Sequence, residues 1–239
     1  MQTADWRSKL ADKVLEVKNL TIQYDNGKAP VVRDFNFFLE ENEILCINGK
    51  SGSGKSTIVW ALMEMLEDYH AKAWGEICCR SKKIIYDGTP HKKRILNWRE
   101  IALVPQASMT SFHPLYSIGK TFMEMLDTYE GKGRKEWKKQ KICELLEMVK
   151  LDSSVYHMYP HELSGGMKQR AAIALGLLFD PEILILDEAT TGLDLLVEAQ
   201  VLGTILELKK RQKMSILFIS HDRNLAEKFS TRQILLSER

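Results

Sequence analysis

The sequence predicts an α/β protein with a mostly parallel central sheet, a β-rich N-terminal sector and a helical insertion. Three observations predict it. Two short apolar runs, 183–186 and 215–219, have the composition of strands buried on both faces of a sheet. Residues 13–23 alternate apolar and polar side chains, as a strand with one buried face does. From about 118 to 150, apolar residues recur at three- and four-residue spacing, which indicates helices.

The other elements are predicted from the same two periodicities and from turn residues. We expect further strands at 31–38, 43–48, 83–86 and 101–104, and further helices at 56–67, 166–178 and 195–212. A loop at 130–134 should divide the helical region, and Asp180-Pro181 should end the helix before it. The sequence shows no internal repeat, so we expect one domain over 1–239, with the helical insertion at about 108–178.

Composition sets limits on the kind of protein. The chain has 239 residues, 44% of them hydrophobic, which is enough for one sizeable core. Its net charge of only +2 does not indicate a nucleic-acid partner. The four cysteines lack C-x-x-C spacing, so we expect buried or idle thiols and no cysteine metal site. We expect no signal peptide, and the longest nearly apolar stretch, 171–179, is far shorter than the roughly 20 residues that span a bilayer.

Residues 49–57, GKSGSGKST, lie between a predicted strand and a predicted helix and match G-x-x-x-x-G-K-[ST]. Glycines allow successive backbone N–H groups to face a phosphate chain, and the helix that follows adds its positive end. Lys55 should reach the β- and γ-phosphates, and Ser56 should place its hydroxyl on Mg²⁺. A flexible Gly/Ser linker is the alternative, but it does not fit between a buried strand and an amphipathic helix. The predicted nucleotide contacts are Gly49, Lys50, Ser51, Gly52, Ser53, Gly54, Lys55, Ser56 and Thr57.

Two carboxylates, Asp187 and Glu188, directly follow the apolar run 183–186. Ligands bind at the carboxyl ends of parallel strands, so this position suits a catalytic pair. Asp187 is predicted to hold Mg²⁺ through water, and Glu188 to polarise the attacking water. The alternative is that Asp187 and Glu188 are ordinary acidic surface residues after a strand. The phosphate-loop motif in the same chain argues against this alternative.

The stretch Leu163-Ser164-Gly165-Gly166-Met167 resembles the signature of the ATP-binding cassette (ABC) ATPases, which reads LSGGQ or a close variant. The resemblance extends over about 13–236, with the motifs in the family's order. It implies a P-loop NTPase core with a mostly parallel sheet, an N-terminal antiparallel β subdomain and an inserted α-helical subdomain. It also implies that the nucleotide is ATP.

The resemblance assigns further residues to the site. Tyr24 lies where the family has an aromatic residue that stacks on adenine, although an aromatic near a strand end is more often part of a core. Gln106 matches the glutamine that senses Mg²⁺ and the γ-phosphate. The stretch that ends in Asp194 resembles the loop that crosses the dimer interface. His221 matches the histidine that contacts the γ-phosphate, against the alternative of a structural or exposed histidine.

Ser164, Gly165 and Gly166 precede a predicted helix, so they offer a hydroxyl, bare N–H groups and a helix N-terminus. This is a second potential anion site. In the family, two subunits pack head to tail and each signature closes over the partner's ATP. We therefore expect a second ABC ATPase subunit, identical or different, to complete the site.

Residues 109–119, MTSFHPLYSIG, resemble the M-T-S-L-N-P-x-x-x-I-G stretch of the oligopeptide, dipeptide and nickel importer ATPases, apart from Phe112 and His113. Met167 also suits that branch. The resemblance implies the ATP-hydrolysing motor subunit of a bacterial importer of peptides or nickel and metal chelates. It would act peripherally at the cytoplasmic face of the cell membrane, with a separate permease and, indirectly, an extracellular solute-binding protein.

Other functions stay open at this point. A soluble ABC ATPase of a non-transport assembly and an exporter ATPase are the alternatives. Nucleic-acid machines of the superfamily usually carry a long coiled-coil insertion or two cassettes, so we expect no nucleic-acid partner. Two basic clusters, at 132–141 and 82–94, should be solvated faces, with contact to anionic lipid headgroups as the alternative.

Overall fold

The structure is a computed structural model that describes residues 13–27, 29–89, 96, 98–106 and 112–236. Its strands are β1 (Lys13–Tyr24), β2 (Val32–Glu40), β3 (Ile44–Asn48), β4 (Ala71–Cys79), β5 (Lys82–Asp87), β6 (Ile101–Val104), β7 (Ile183–Asp187), β8 (Ser215–Ser220) and β9 (Arg232–Leu235). Its α-helices are α1 (Lys55–Leu62), α2 (Ile118–Glu130), α3 (Lys135–Met148), α4 (Gly165–Gly176), α5 (Leu195–Gln212) and α6 (Arg223–Phe229).

The chain divides into two compact units. The first consists of 1–103, 182–187 and 213–239, and the second of 104–181 and 188–212. The segment 104–181 includes the range 108–178 in which the sequence predicts the helical insertion. None of the described helices combines the length and the apolar character that a membrane span needs.

A five-stranded sheet in the order β6-β7-β8-β3-β9 confirms the predicted α/β class. The pairs β3–β8, β7–β8 and β3–β9 are parallel. Every residue of β3 and β7 is buried, as their apolar sequences predict. The register places Asn48 beside Ser220 and Asp187 beside Ile219. The carboxyl ends of β3, β7 and β8 therefore lie at one edge of the sheet.

A second sheet, in the order β2-β1-β4-β5, is antiparallel. The sequence places the β-rich sector ahead of the phosphate loop, but β4 and β5 come after it. Strand β4 is not predicted because Gly75 interrupts its pattern. Gly75 has φ +123°, and a Cβ there would lie 2.7 Å from the carbonyl oxygens of Lys18 and Asn19 on β1. It marks an irregularity in the pairing of β1 and β4, as glycine in a strand often does.

Helix α1 begins at the phosphate loop and is shorter than the predicted 56–67. It ends at Leu62, and Glu64 has φ +55°, a left-handed conformation that no α-helix continues through. A 3₁₀ turn at Glu67–Tyr69 follows, and the ring of Tyr69 stacks on Trp60 at 3.7 Å between centroids. Ile58 and Leu62 are fully buried in the core that Leu15 and Leu217 also share. The start of α1 is therefore fixed by the core beneath it.

The second unit is helical. Ser117 accepts a hydrogen bond from the Lys120 N–H and begins α2, and a loop at 131–134 separates α2 from α3 as predicted. Lys138 is only 1% exposed, and its ammonium donates to Asp127 at 2.7 Å and to the Gly131 carbonyl. This pair joins the two helices next to their loop.

Ion pairs reduce the charge of both predicted basic clusters. Lys82 pairs with Glu100 at 2.7 Å and Lys83 with Glu76 at 2.9 Å, both in the first unit. In the second unit Lys141 lies 3.8 Å from Asp180. Lys92, Lys93 and Arg94 lie outside the described residues. Lys82, Lys83 and Lys141 thus lie on mixed-charge surfaces beside acidic residues.

The cysteines differ in burial, which generates a testable prediction. Burial raises the pKa of Cys46 and of Cys79 to about 12, whereas Cys78 and Cys143 are partly exposed. The thiolate is the reactive form, so we expect iodoacetamide at pH 8 to modify Cys78 and Cys143 and to spare Cys46 and Cys79 in the native protein. Mass spectrometry of the digested protein measures this, and the denatured chain, in which all four should react, is the control. Labelling of Cys46 as fast as Cys143 would contradict the burial of β3.

Candidate nucleotide-binding site

The loop between β3 and α1 has a backbone that requires glycine. Gly52 and Gly54 have φ values of +83° and +95°, which side chains rarely tolerate. A Cβ on Gly49 would lie 2.8 Å from both the Leu236 carbonyl oxygen and the Ser53 hydroxyl. Gly54 is also the N-cap of α1 and provides no capping side chain, so the first N–H groups of the helix stay available. The glycines therefore allow the loop to curl closely over the start of the helix.

Lys55 lies inside this loop and is only 4% exposed. Its ammonium donates hydrogen bonds to the carbonyl oxygens of Gly49, at 2.7 Å, and Lys50, at 2.8 Å. A buried ammonium is strongly destabilising unless it is hydrogen-bonded, and these carbonyls provide that compensation. The loop is thus closed around a positive charge.

Ser53 supplies a test of whether a phosphate chain fits. Its hydroxyl oxygen is buried and has no hydrogen-bond partner within the described part of the chain. Leaving a buried hydroxyl without a hydrogen-bond partner costs about 1–3 kcal/mol. A polar ligand at the loop could hydrogen-bond to Ser53 and remove this cost. Together with the Lys55 charge and the α1 N-terminus, this fits a polyphosphate.

The predicted metal ligands of the first unit lie around the same edge of the parallel sheet. Asp187 ends β7 and is 5% exposed, and Ser56 is half-buried in the first turn of α1. Their carboxylate and hydroxyl oxygens are the hard donors that Mg²⁺ prefers. The described residues contain no cluster of three or more His, Cys, Asp or Glu side chains suited to a metal.

His221 directly follows β8 at this edge and is exposed. Asp222, the next residue, caps α6 by accepting hydrogen bonds from the N–H groups of Asn224 and Leu225. The cap fixes the turn that carries His221. Helix α6 and strand β9 were not predicted from the sequence, although the Asp222 cap was a usable signal for the helix.

Tyr24 is half-buried beside the start of α1. Its hydroxyl and the Thr57 hydroxyl hydrogen-bond at 3.0 Å, and its ring packs against the core of the first unit. The two interpretations of this residue, as a core aromatic and as an adenine contact, are therefore compatible. The hydrogen bond to Thr57 was not predicted, because no sequence signal links positions so far apart.

In the second unit, Gln106 and Glu188 meet. The Gln106 amide donates a hydrogen bond to Glu188 Oε2 at 2.9 Å. Glu188 has φ +46°, a left-handed conformation that is uncommon for a residue with a side chain and that costs on the order of 1–3 kcal/mol. Such conformations concentrate at active sites. The sequence indicates a role for each residue but not this contact.

The signature and the Asp194 loop both form helix caps in the second unit. Ser164 Oγ accepts a hydrogen bond from the Met167 N–H at 3.3 Å, so Gly165 and Gly166 form the first turn of α4. Asp194 Oδ1 accepts from the N–H groups of Leu196 and Val197 at the start of α5. The predicted nucleotide contacts of these residues stay predictions. The caps show how each segment is held.

The ABC transporter family model matches residues 32–191, which is more than half of the chain. This chain belongs to the ABC transporter family. It is 36% identical over 227 residues to the dipeptide transport ATP-binding protein DppD of Haemophilus influenzae, an alignment that covers 93% of this chain and 68% of the relative. It is 37% identical over 217 residues to the oligopeptide transport ATP-binding protein OppD of Bacillus subtilis, covering 88% and 60%. With the glutathione import ATP-binding protein GsiA of Escherichia coli K12 it shares 34% over 239 residues, covering 95% and 38%.

A solved relative has the same fold. The dimeric ABC transporter cassette MJ0796 matches with a TM-score of 0.76 and 28% identity, covering 92% of this chain and 93% of that one. A second structure of the same cassette, a post-hydrolysis state bound to ADP and phosphate, matches with a TM-score of 0.76 and 26% identity, covering 93% and 94%. These comparisons confirm the predicted ABC ATPase fold and the resemblance to the peptide-importer branch.

The chain spans about two thirds of its dipeptide and oligopeptide relatives and little more than a third of the glutathione relative. These relatives are named for dipeptide, oligopeptide and glutathione transport, so nickel stays a prediction. Met109, Thr110 and Ser111, which carry part of the importer resemblance, lie outside the described residues.

Tyr24 provides a test of base recognition. We expect Tyr24→Ala to weaken ATP binding by about tenfold or more, because stacking of a base on an aromatic ring contributes about 1–3 kcal/mol. Tyr24→Phe is the matched control: it keeps the ring and removes only the hydrogen bond to Thr57, so its affinity should stay close to that of the wild type. Titration with a fluorescent ATP analogue measures both. Equal losses in the two variants would show that the hydroxyl, and not the ring, matters.

Proposed function

We propose that this chain is the ATP-hydrolysing subunit of an ABC importer and couples ATP binding and hydrolysis to the uptake of peptides through a separate permease. The observation that carries the proposal is the glycine loop closed around the buried Lys55 ammonium. Asp187 and His221 lie at the same sheet edge. The similarity to dipeptide and oligopeptide transport proteins supports the cargo class.

The first unit would bind the nucleotide. Residues 49–57 would hold the phosphates, with Tyr24 against the adenine. On phosphate binding, the Lys55 ammonium would exchange its two carbonyl partners for phosphate oxygens, which are stronger, charge-assisted acceptors. Ser56 and Asp187 would hold Mg²⁺, Asp187 through water. A bound Mg²⁺ supplies charge neutralisation on the β- and γ-phosphates.

Glu188 would orient the attacking water, and His221 would steady the γ-phosphate. The hydrogen bond from Gln106 now occupies one oxygen of the Glu188 carboxylate. Release of Gln106 would free that oxygen to accept a hydrogen bond from the attacking water. Gln106 lies three residues before the stretch 109–119 that resembles the importer branch. This position allows the docking of a permease on that segment to influence the catalytic carboxylate.

Each subunit would contribute half of two sites. Ser164, Gly165 and Gly166 at the N-terminus of α4 would contact the γ-phosphate of the nucleotide on a second cassette, as would the Asp194 loop. The dimeric form of the solved relative supports this arrangement. The second cassette is either a copy of this chain or a related chain. The assembly would work at the cytoplasmic face of a bacterial membrane and receive cargo from an extracellular solute-binding protein.

The Glu188→Gln substitution tests the hydrolytic role. It removes the carboxylate but keeps a hydrogen-bonding side chain, so ATP should bind normally while turnover falls by about 10²–10⁴-fold. Because ATP would no longer be consumed, dimers should accumulate, and size-exclusion chromatography with light scattering measures them. Lys55→Ala, which should not bind ATP, is the control without dimers. A Glu188→Gln chain that stays monomeric at saturating ATP, while the wild type hydrolyses ATP, would exclude this role.

The transport role has its own test. A tagged chain purified from detergent-solubilised membranes of its native cells should bring down a permease with several membrane spans. Mass spectrometry identifies the partners, and the same purification from the soluble fraction is the control. Recovery with soluble proteins alone would favour a non-transport assembly and would reject the importer proposal.

A further inference from the structure

Two segments that the proposed function assigns to the partner's nucleotide meet at one residue, Val197. Its N–H donates a hydrogen bond to Asp194 Oδ1 at 3.0 Å, so its backbone is part of the cap that holds the Asp194 loop. Its side chain faces Gly166 of the signature. A Cβ on Gly166 would lie 2.5 Å from Val197 Cγ1, far closer than carbon atoms can approach.

This contact is both close and rigid. Valine in an α-helix has one strongly preferred side-chain rotamer, so Cγ1 cannot easily turn away. The next nearest atoms to the Gly166 position are Val197 Cβ and Cγ2, both at 3.8 Å, which is an ordinary contact distance. One methyl group therefore fills the space that a side chain at position 166 would need.

Arg170 also holds this helical turn. The Arg170 guanidinium donates to the Gly166 carbonyl at 3.3 Å and to the Lys150 carbonyl at 3.0 Å. Arg170 thus ties the first turn of α4 to the turn that follows α3. Between Arg170 and Val197, the first turn of α4 has little freedom to shift. Glycine in a helix costs about 1 kcal/mol relative to alanine, so the close approach to Val197 gives a physical reason for glycine here.

We infer that Val197 is a positioning residue for ATP hydrolysis. It fixes the distance between the signature turn and the Asp194 loop, so that both segments reach the nucleotide of the opposing cassette in one geometry. The inference rests on the proposed function. It concerns the methyl group of Val197 and not the signature glycine by itself.

The contact can be tested by moving one methyl group. Gly166→Ala places a Cβ at 2.5 Å from Val197 Cγ1, so α4 and α5 must separate by about 1 Å. A displacement of this size can cost about 100-fold in rate, and we expect that loss in kcat with KM nearly unchanged. The double variant with Val197→Ala removes the clashing methyl and leaves a 3.8 Å contact between the two Cβ atoms. We expect its kcat to return to within about tenfold of the wild type, because the compensating change restores the spacing.

Two further variants and two measurements separate positioning from stability. Gly203→Ala adds the same methyl group on α5 where no atom lies within 4 Å, so its kcat should equal that of the wild type. Val197→Ala alone should show a smaller loss than Gly166→Ala, since it leaves a gap and no clash. Kinetics are measured beside the thermal unfolding midpoint and ATP affinity. If Gly166→Ala lowers the midpoint, recovery of kcat in the double variant still decides the question.

A double variant as slow as Gly166→Ala, or a Gly166→Ala variant as fast as the wild type, would overturn the role of Val197. Either result, with a wild type that hydrolyses ATP, would leave the proposed function intact. A wild-type chain without ATP hydrolysis would overturn both.

Discussion

The hydrogen bonds from the Lys55 ammonium to the Gly49 and Lys50 carbonyls are the interaction on which the site depends. They place a positive charge at the centre of a loop whose two ends are anchored in the core, at the buried strand β3 and at the first turn of α1. A charge in such a position is tolerated only because backbone oxygens surround it. The same arrangement makes the loop receptive to anions, because the carbonyls are weaker partners than phosphate oxygens.

The parallel sheet extends this local arrangement over the first unit. Positions 48, 187 and 220 are distant in the chain, but the register of β3, β7 and β8 brings them to one edge. In the second unit the signature and the Asp194 loop are held by helix caps: Ser164 on α4 and Asp194 on α5. The loops with proposed roles in ATP hydrolysis are thus short, and strands or helices hold them. These contacts give the polar, glycine-containing segments of the chain a defined backbone geometry.

Most of the fold and the local motifs were predictable from sequence. The apolar runs of β7 and β8, the bounds of α5 and the phosphate loop all depend on neighbouring residues, which periodicity and motif spacing capture. Strand β4 was missed because Gly75 serves a close backbone approach, and α6 and β9 because short elements carry few periodic residues. The contact of Gln106 with Glu188 and that of Gly166 with Val197 were not predictable. Each joins residues far apart in the chain through packing that no local pattern records.

The left-handed backbone at Glu188 has a consequence for how this chain can change over time. Glycine would adopt that conformation without strain, and asparagine with less strain than glutamate, so replacement would increase folding stability while removing the carboxylate. Under the proposed catalytic role of Glu188, selection for folding stability and selection for ATP hydrolysis therefore favour different residues at this position. In a pair of different cassettes, a cassette that no longer needs to hydrolyse ATP would be expected to lose this glutamate before other residues.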